Sequence, residues 1–415
     1  VSAIWQGIEL AEDEPYTNIT DVDRVFSVAT FNYTLYGQLV AATDGRGTRY
    51  TISPDPVTRQ INAITITGSD GSRLDYSYSY DERGNIISVT EPATDGTQQT
   101  TAYTYNGLDR ISAISNPLGG NRNYAYDEVG NVTSIVDEIE RTTAFTYDAL
   151  DNITSYRSPS GFITRYTTEL DPDGDFILRT ETDPAGRVIE TRYNSLERLR
   201  SYRLNVDDTQ LDYSFSYTST GNLASVVETS SGRALQLEYN LLGEPLAIDI
   251  DGSRTSFTYN RRGLLQSVIS PAGNVTAYGY DAMGNLAEIV YPDESAWMYG
   301  YDANDNLVSA IDPLGNETQY VYSAFDQLRS EIDPLGNRTE YAHDPRGNLL
   351  TVIDALDVME EFTYDPLDRI VEATLRSITG DESRSTGYEY DASGRLTNIV
   401  FPNRIDRALI AYDDE

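Results

Sequence analysis

From Phe31 onward the chain is written in short stretches where apolar and polar residues alternate, each stretch closed by a cluster of turn-forming residues. In Tyr299-Gly300-Tyr301 and Tyr320-Val321-Tyr322 two aromatic side chains stand at i and i+2, which places them on one face of a β-strand. After a Gly-Asn or Asp-Arg turn the alternation resumes, as in Leu307-x-Ser309-x-Ile311 and Leu328-x-Ser330-x-Ile332, and predicts a second strand of the same period. A different turn then follows, written Asp312-Pro313-Leu314-Gly315-Asn316 and Asp333-Pro334-Leu335-Gly336-Asn337. Proline presets φ early in such a turn and glycine supplies a positive φ, so both ends of every strand are specified. No segment of helical period competes, and the predicted fold class is all-β.

The unit repeats. Set in register on the phrase Tyr-Asp-x-x-Gly-Asn-Leu, the anchors fall at Tyr33, Tyr80, Tyr105, Tyr126, Tyr147, Tyr193, Tyr217, Tyr239, Tyr259, Tyr280, Tyr301, Tyr322, Tyr364, Tyr390 and Tyr412, with His343 in a tyrosine slot. Seven intervals between neighbouring anchors are 21 residues, and thirteen anchors carry another aromatic two residues earlier. The two long gaps predict degenerate repeats around Ile52 and Tyr166, and the array is expected to be irregular near 40–75 and 155–190. We expect one continuous array over 31–415, preceded by a divergent edge over 1–30. Roughly thirty strands at about 4.8 Å each would make a flat sheet on the order of 150 Å wide, and open sheets rarely pass about ten strands without curling. The ribbon is therefore expected to coil into a spiral or hollow shell, with stacked aromatic ladders inside and an acidic, turn-rich face outside.

Composition sharpens this picture in three ways. The 32 tyrosines far outnumber the 10 phenylalanines, and a tyrosine-rich core needs acceptors for its hydroxyls. Cysteine is absent, which excludes disulfide scaffolds and thiol chemistry. All 30 basic residues are arginines, set against 66 acids, for a net charge of −36; such a surface repels phosphate backbones, and no nucleic-acid partner is expected. No 18-residue apolar run predicts a membrane span, and the sequence begins at Val1 without a signal-like stretch, as expected of a piece of a longer protein.

The Tyr-Asp phrase, the Asp-Pro-Leu-Gly turns and the near-21 period resemble the RHS/YD-repeat family over essentially the whole chain from Phe31. The resemblance implies a spiral of β-hairpins forming a hollow shell, as in bacterial Rhs polymorphic toxins, the cocoon components of Tc toxins and the barrel of teneurins. In the bacterial members the shell encloses a C-terminal toxin; teneurin-like members use its surface in adhesion. In this chain the Asp-Pro-Leu-Gly turns lead to Asn and not to the Asp-Pro-x-Gly-Leu hallmark of the core-associated segment, so neither the cleavage site nor the toxin is expected within it.

Candidate chemistry is sparse. His343 is the only histidine, so a Ser/His/Asp or histidine–metal site would have to use it, but its anchor position beside Tyr341 reads as packing. Asp171, Asp173 and Asp175 alternate like a cation loop, yet the glycine is misplaced and no glutamate stands at position twelve. The Asp after each anchor is replaced at Asn106, Asn194, Thr218, Asn260 and Ser323, residues that share the ability to bond turn backbone. The sequence therefore predicts a structural protein without catalytic residues or cofactors: a secreted or surface-delivered bacterial shell segment that encloses a polypeptide cargo. Its expected partners are flanking repeats and a C-terminal domain. The alternative is an extracellular adhesive, filament-forming, self-associating or carbohydrate-binding structural repeat protein.

Overall fold

Both kinds of turn close by the same hydrogen bonds. In the Tyr-Asp turn of residues 302–306, the Asp302 amide donates to the Asn306 carbonyl at 2.9 Å and the Asp305 amide to the Asp302 carbonyl at 3.1 Å. In the Pro-Leu-Gly turn of residues 312–316, Asp312 and Asn316, and Gly315 and Asp312, repeat this pattern at 2.9 Å each. The first side chain completes each turn: Asp302 Oδ1 accepts the amides of Asn304 and Asn306, and Asp312 Oδ1 those of Leu314 and Asn316. The fourth residue must take a positive φ, which is 65° at Asp305 and 83° at Gly315.

These turns join 35 strands, β1 (Thr30–Tyr33) to β35 (Arg407–Leu409), in the computed structural model, which describes residues 30–45, 47–93, 97–170, 176–206, 209–378, 383–402 and 407–410. Among the described residues every strand pairs antiparallel with its neighbours in sequence, from β1 through β35, and the sheet stays open. No helix in them is long and apolar enough to cross a membrane. Ile52 and Tyr166, where degenerate repeats are predicted, lie on the regularly paired strands β3 (Arg49–Pro54) and β13 (Ile163–Leu170).

The two hairpin types differ in their ladders. β25 (Ala296–Tyr301) pairs with β26 (Leu307–Ile311) through four residue pairs, with a register shift between Gly300 and Tyr301. Such a shift recurs just before anchors along the ribbon, as at Tyr80, Tyr147, Tyr259 and Tyr364. The extra residue is a β-bulge following the positive-φ turn residue. It changes the faces predicted from alternation alone: Tyr299 pairs with Ala310 and Met298 with Ile311, so Ser309 and Ile311 lie opposite the aromatic face. The other ladder, from β24 (Leu286–Val290) to β25, holds only Glu288–Met298, Ile289–Trp297 and Val290–Ala296, which leaves Leu286 beyond its end.

A single layer buries little. Among the described residues the buried hydrophobic ones are Ala41, Ala42, Leu74, Ala93, Ala247, Ala310 and Ala324, with no aromatic side chain among them. The aromatic face is nevertheless the sheltered one: in β27 (Glu317–Tyr322), Thr318, Tyr320 and Tyr322 are half-buried while Gln319 and Val321 are exposed. The turns, and the acidic residues they carry, lie along the two edges of the ribbon and not on its outer face.

The coil overlaps itself. Thr48, in the turn between β2 (Leu39–Thr43) and β3, is 1% exposed and donates its Oγ1 to the carbonyl of Ala324, 276 residues away, at 2.8 Å. Alongside, Arg329 meets Asp70 at 2.9 Å and Arg346 reaches Glu91 at 3.4 Å. A Cβ on Gly68 would stand 2.9 Å from that of Ala324. Several of the most buried residues, Thr48, Ala93, Ala324, Ser330 and Asp344, sit along this seam. Here the Pro-Leu-Gly edge of the early hairpins rests on the Tyr-Asp edge of hairpins about thirteen periods later.

Thr48→Val keeps the shape and removes the donor, leaving a buried carbonyl unpaired at a cost of about 1–3 kcal/mol to the seam. Protease cleavage should then rise together in the turns at 44–48 and 323–327 while the strand ladders keep their amide protection. Acceleration at only one of the two turns would show that the seam does not couple them.

Candidate functional site

The repeated feature of the sheltered face is a tyrosine hydroxyl bonded to the preceding repeat. Tyr301 Oη donates to the Leu286 carbonyl at 2.9 Å, the group left beyond the end of the β24–β25 ladder. The same bond joins Tyr80 to Ile61, Tyr105 to Ile86, Tyr126 to Ile111, Tyr147 to Val132, Tyr217 to Leu199, Tyr259 to Pro245, Tyr280 to Leu265, Tyr364 to Leu349 and Tyr390 to Ile370, at 2.7–2.9 Å. In each case the strands splay towards the Tyr-Asp edge, and the phenol fills the wedge and satisfies the stranded carbonyl. Burial pushes the phenols of Tyr105, Tyr147, Tyr259, Tyr280, Tyr301 and Tyr364 above their ordinary value, so they remain donors.

Tyr193 shows the rule by contrast. The ladder from β14 (Phe176–Thr182) to β15 (Val188–Asn194) runs on past the anchor, pairing Ile177 with Tyr193 and Phe176 with Asn194. No carbonyl is left open, and the Tyr193 ring instead lies under the Arg179 guanidinium, 4.9 Å from its centroid. Tyr239 anchors β19 (Ala234–Tyr239) and pairs with Pro245 across the same kind of bulge; Tyr322 ends β27, paired with Leu328.

The predicted stacked ladders give way to this arrangement. Among the described residues three aromatic pairs approach, Phe145–Tyr156 at 5.7 Å, Trp297–Tyr299 at 6.1 Å and Tyr202–Tyr213 at 6.4 Å, and none joins successive anchors. Rings of successive anchors are held apart by intervening strands, so neighbouring repeats are linked by hydroxyl to carbonyl. Opposite the aromatics the sheltered face carries Val268, Ile289, Val352 and Ile399, a wall of rings and aliphatic side chains.

The turn caps follow the predicted chemistry. Asn106, Asn194 and Asn260 accept two turn amides through Oδ1, Ser323 accepts those of Phe325 and Gln327, and Thr218 accepts that of Asn222. His343 ends β29 (Arg338–His343), paired with Leu349, and burial lowers its pKa against the opposing pull of Asp344. Asp171, Asp173 and Asp175 lie outside the described residues, as does Tyr412; within the described residues no group of three or more His, Asp or Glu side chains converges. Along the seam a cleft of about 500 Å³ opens between the 97–100 segment and residues 362–366, with Gln99 and Tyr364 in its lining.

The RHS Repeat family profile matches residues 126–163, 259–296, 301–338 and 322–359. Among solved structures, the crystal structure of TcdB2-TccC3-Cdc42 matches at a TM-score of 0.64 and 15% identity, covering 92% of this chain and 26% of that one. TcdB2-TccC3 without its hypervariable C-terminal region matches at 0.63 and 15%, with the same coverages. A Photorhabdus luminescens Tc holotoxin pore matches at 0.53 and 14%, covering 90% and 25%. The chain thus shares their fold and spans about a quarter of their length. None of the curated proteins matches it by sequence.

Two predictions test the site. Tyr301→Phe should cost about 1–2 kcal/mol through the orphaned Leu286 carbonyl, and Tyr301→Ala about 2–3 kcal/mol, below the roughly 3–5 of a fully buried ring. Denaturant unfolding would measure both; a neutral Tyr301→Phe would show that the hydroxyl is not the link. The second concerns acid. The carboxyls of Asp81, Asp148 and Asp312 lie below their ordinary value because Asn85, Asn152 and Asn316 donate to them through side chain and backbone. Depressed carboxyls stabilise the fold above their unfolded pKa of about 3.9, and that contribution fades as pH falls through the lower folded value. Exchange of the turn amide of Asn316 should accelerate below about pH 4. Asp312→Asn, the residue that caps the equivalent turn at Asn116, should remove the acid dependence at that turn; an unchanged dependence would place its source elsewhere.

Proposed function

Because the chain carries RHS repeats, we propose that it is a structural shell segment that encloses a polypeptide cargo within a secreted or surface-delivered bacterial protein. The observation that carries this reading is the seam: the ribbon returns onto its own edge after 276 residues, with the aromatic and aliphatic face sheltered. A single layer that coils back onto itself in this way would bound an interior without filling it. The anchor tyrosines serve as fasteners of the wall, with His343 as a packing variant in the same slot. Residues 31–415 act as one continuous array that continues into flanking repeats and a C-terminal domain.

An apolar wall suits an unfolded polypeptide, whose exposed side chains it would shelter from solvent and from other chains. The acidic edges serve solubility and repel nucleic acid. The likeness to the Tc structures rests on shared fold; what those complexes hold is theirs.

The test uses the full-length protein encoded by the intact reading frame. Limited proteolysis should spare the segment following the array until the array itself melts. Thr48→Val, which loosens the seam, should bring cleavage of that segment to a lower temperature. A following segment cut as fast as the same peptide free in solution would overturn the shell reading.

A further inference from the structure

Consecutive Tyr-Asp turns touch along one edge of the ribbon, and the contacts fall into two kinds. In the first, an Asn at the fifth turn position donates its Nδ2 to an Asp at the positive-φ position of the next turn. The pairs are Asn85–Asp109 and Asn285–Asp305 at 2.7 Å, and Asn131–Asp151, Asn306–Asp326 and Asn348–Asp368 at 2.8 Å. In the second, a longer side chain reaches across a glycine to the backbone of the next turn. Arg110 Nη2 bonds the Val129 carbonyl at 2.9 Å, Arg262 Nη2 the Met283 carbonyl at 3.0 Å, and Gln327 and Arg369 the carbonyls of Asp344 and Asp391 at 3.2 Å.

The backbone records the same division. The five Asp residues hold φ between 59° and 65°, the left-handed well open to L side chains. The glycines crossed by Arg or Gln stand further out: Gly84 at 93°, Gly130 at 119°, Gly221 at 97°, Gly284 at 105°, Gly347 at 99° and Gly394 at 87°. Glycines of the Pro-Leu-Gly edge with nothing across them stand lower on the whole, Gly119, Gly186, Gly273, Gly315 and Gly336 at 81–84°, Gly71 at 85°, Gly232 at 72° and Gly252 at 89°. A Cβ on Gly130 would overlap the Arg110 guanidinium, and one on Gly221 would stand 2.6 Å from Arg198 Nη2. Thus a long donor without a fifth-position Asn beside it faces glycine, and the short donor faces the carboxylate that brings the acceptor to it; where that Asn is present, an Arg at the third turn position meets the same Asp, as Arg83 does Asp109 and Arg346 does Asp368. Two junctions depart from the pattern: Asn222 faces Gly243, at φ 83°, and Glu244 faces Gly263, at φ 77°.

We propose that these pairs are a two-letter matching code by which each hairpin selects the hairpin that follows it. A turn with Asn at its fifth position accepts a hairpin with Asp at the left-handed position, and a turn that lacks that Asn and carries Arg or Gln accepts one with glycine. The partner each edge fits is therefore a further Tyr-Asp hairpin of defined type. Such selection is useful because residues 301–322 and 322–343 share their turn and anchor pattern, and a one-period slip would keep Leu307, Ile311, Leu314 and Tyr320 opposite residues of the same kind.

Two double-mutant cycles in the full chain test the code by hydrogen exchange at the affected turns. Gly130→Asp should accelerate exchange across residues 127–131 by about tenfold or more, and Arg110→Asn with Gly130→Asp should return it to within about threefold of the parent. In the reverse cycle, Asp305→Gly should accelerate exchange at 302–306, and adding Asn285→Arg should slow it again. This second cycle decides the matter if the Gly130→Asp proteins do not fold. Additive effects, with either double variant no better than its worse single one, would overturn the proposal.

Discussion

Everything in this ribbon depends on how an open ladder end is satisfied. A backbone carbonyl that leaves a ladder must find a donor or water. Between repeats the strands diverge towards one edge, and the anchor phenol supplies the donor, as Tyr301 does for Leu286. The hydroxyl thereby explains why tyrosine outnumbers phenylalanine. A phenylalanine would fill the wedge but leave the carbonyl unpaired. The divergence also lets a flat hairpin array curve, because one edge is held wider than the other by a ring at each step.

At the same edge, the turn carries its own internal cap and in many repeats a contact to the next turn, so a repeat such as that of Tyr301 is tied to its neighbours twice: by phenol to strand and by side chain to turn. Where one tie is missing another takes its place. Tyr193 has no splayed carbonyl to bond, and its ring accepts Arg179 over its face. Surface ion pairs such as Arg73–Asp75 add little by comparison, since both partners are well exposed.

Much of this was legible in the sequence because it is local. The turn residues, their interchangeable caps and the all-β fold follow from spacings within one repeat, and the need of tyrosine for an acceptor follows from its chemistry. What was not legible depends on relations between strands. The bulge before Tyr301 shifts Ser309 and Ile311 to the other face, and alternation alone cannot register one inserted residue. The stacked ladder predicted from repeated aromatics fails because ring spacing is set by the strands between them. The seam from Thr48 to Ala324 depends on the pitch of the coil, which sums small twists over many hairpins and is written at no single position.

That seam has a kinetic meaning. Apart from it, strands pair only with their sequence neighbours, so the ribbon has the short-range contacts of fast-folding chains and can form hairpin by hairpin as the polypeptide emerges. The seam is the exception: its loop cannot close until some 276 residues have been laid down. The ribbon is therefore laid down hairpin by hairpin before its two edges can meet at the seam.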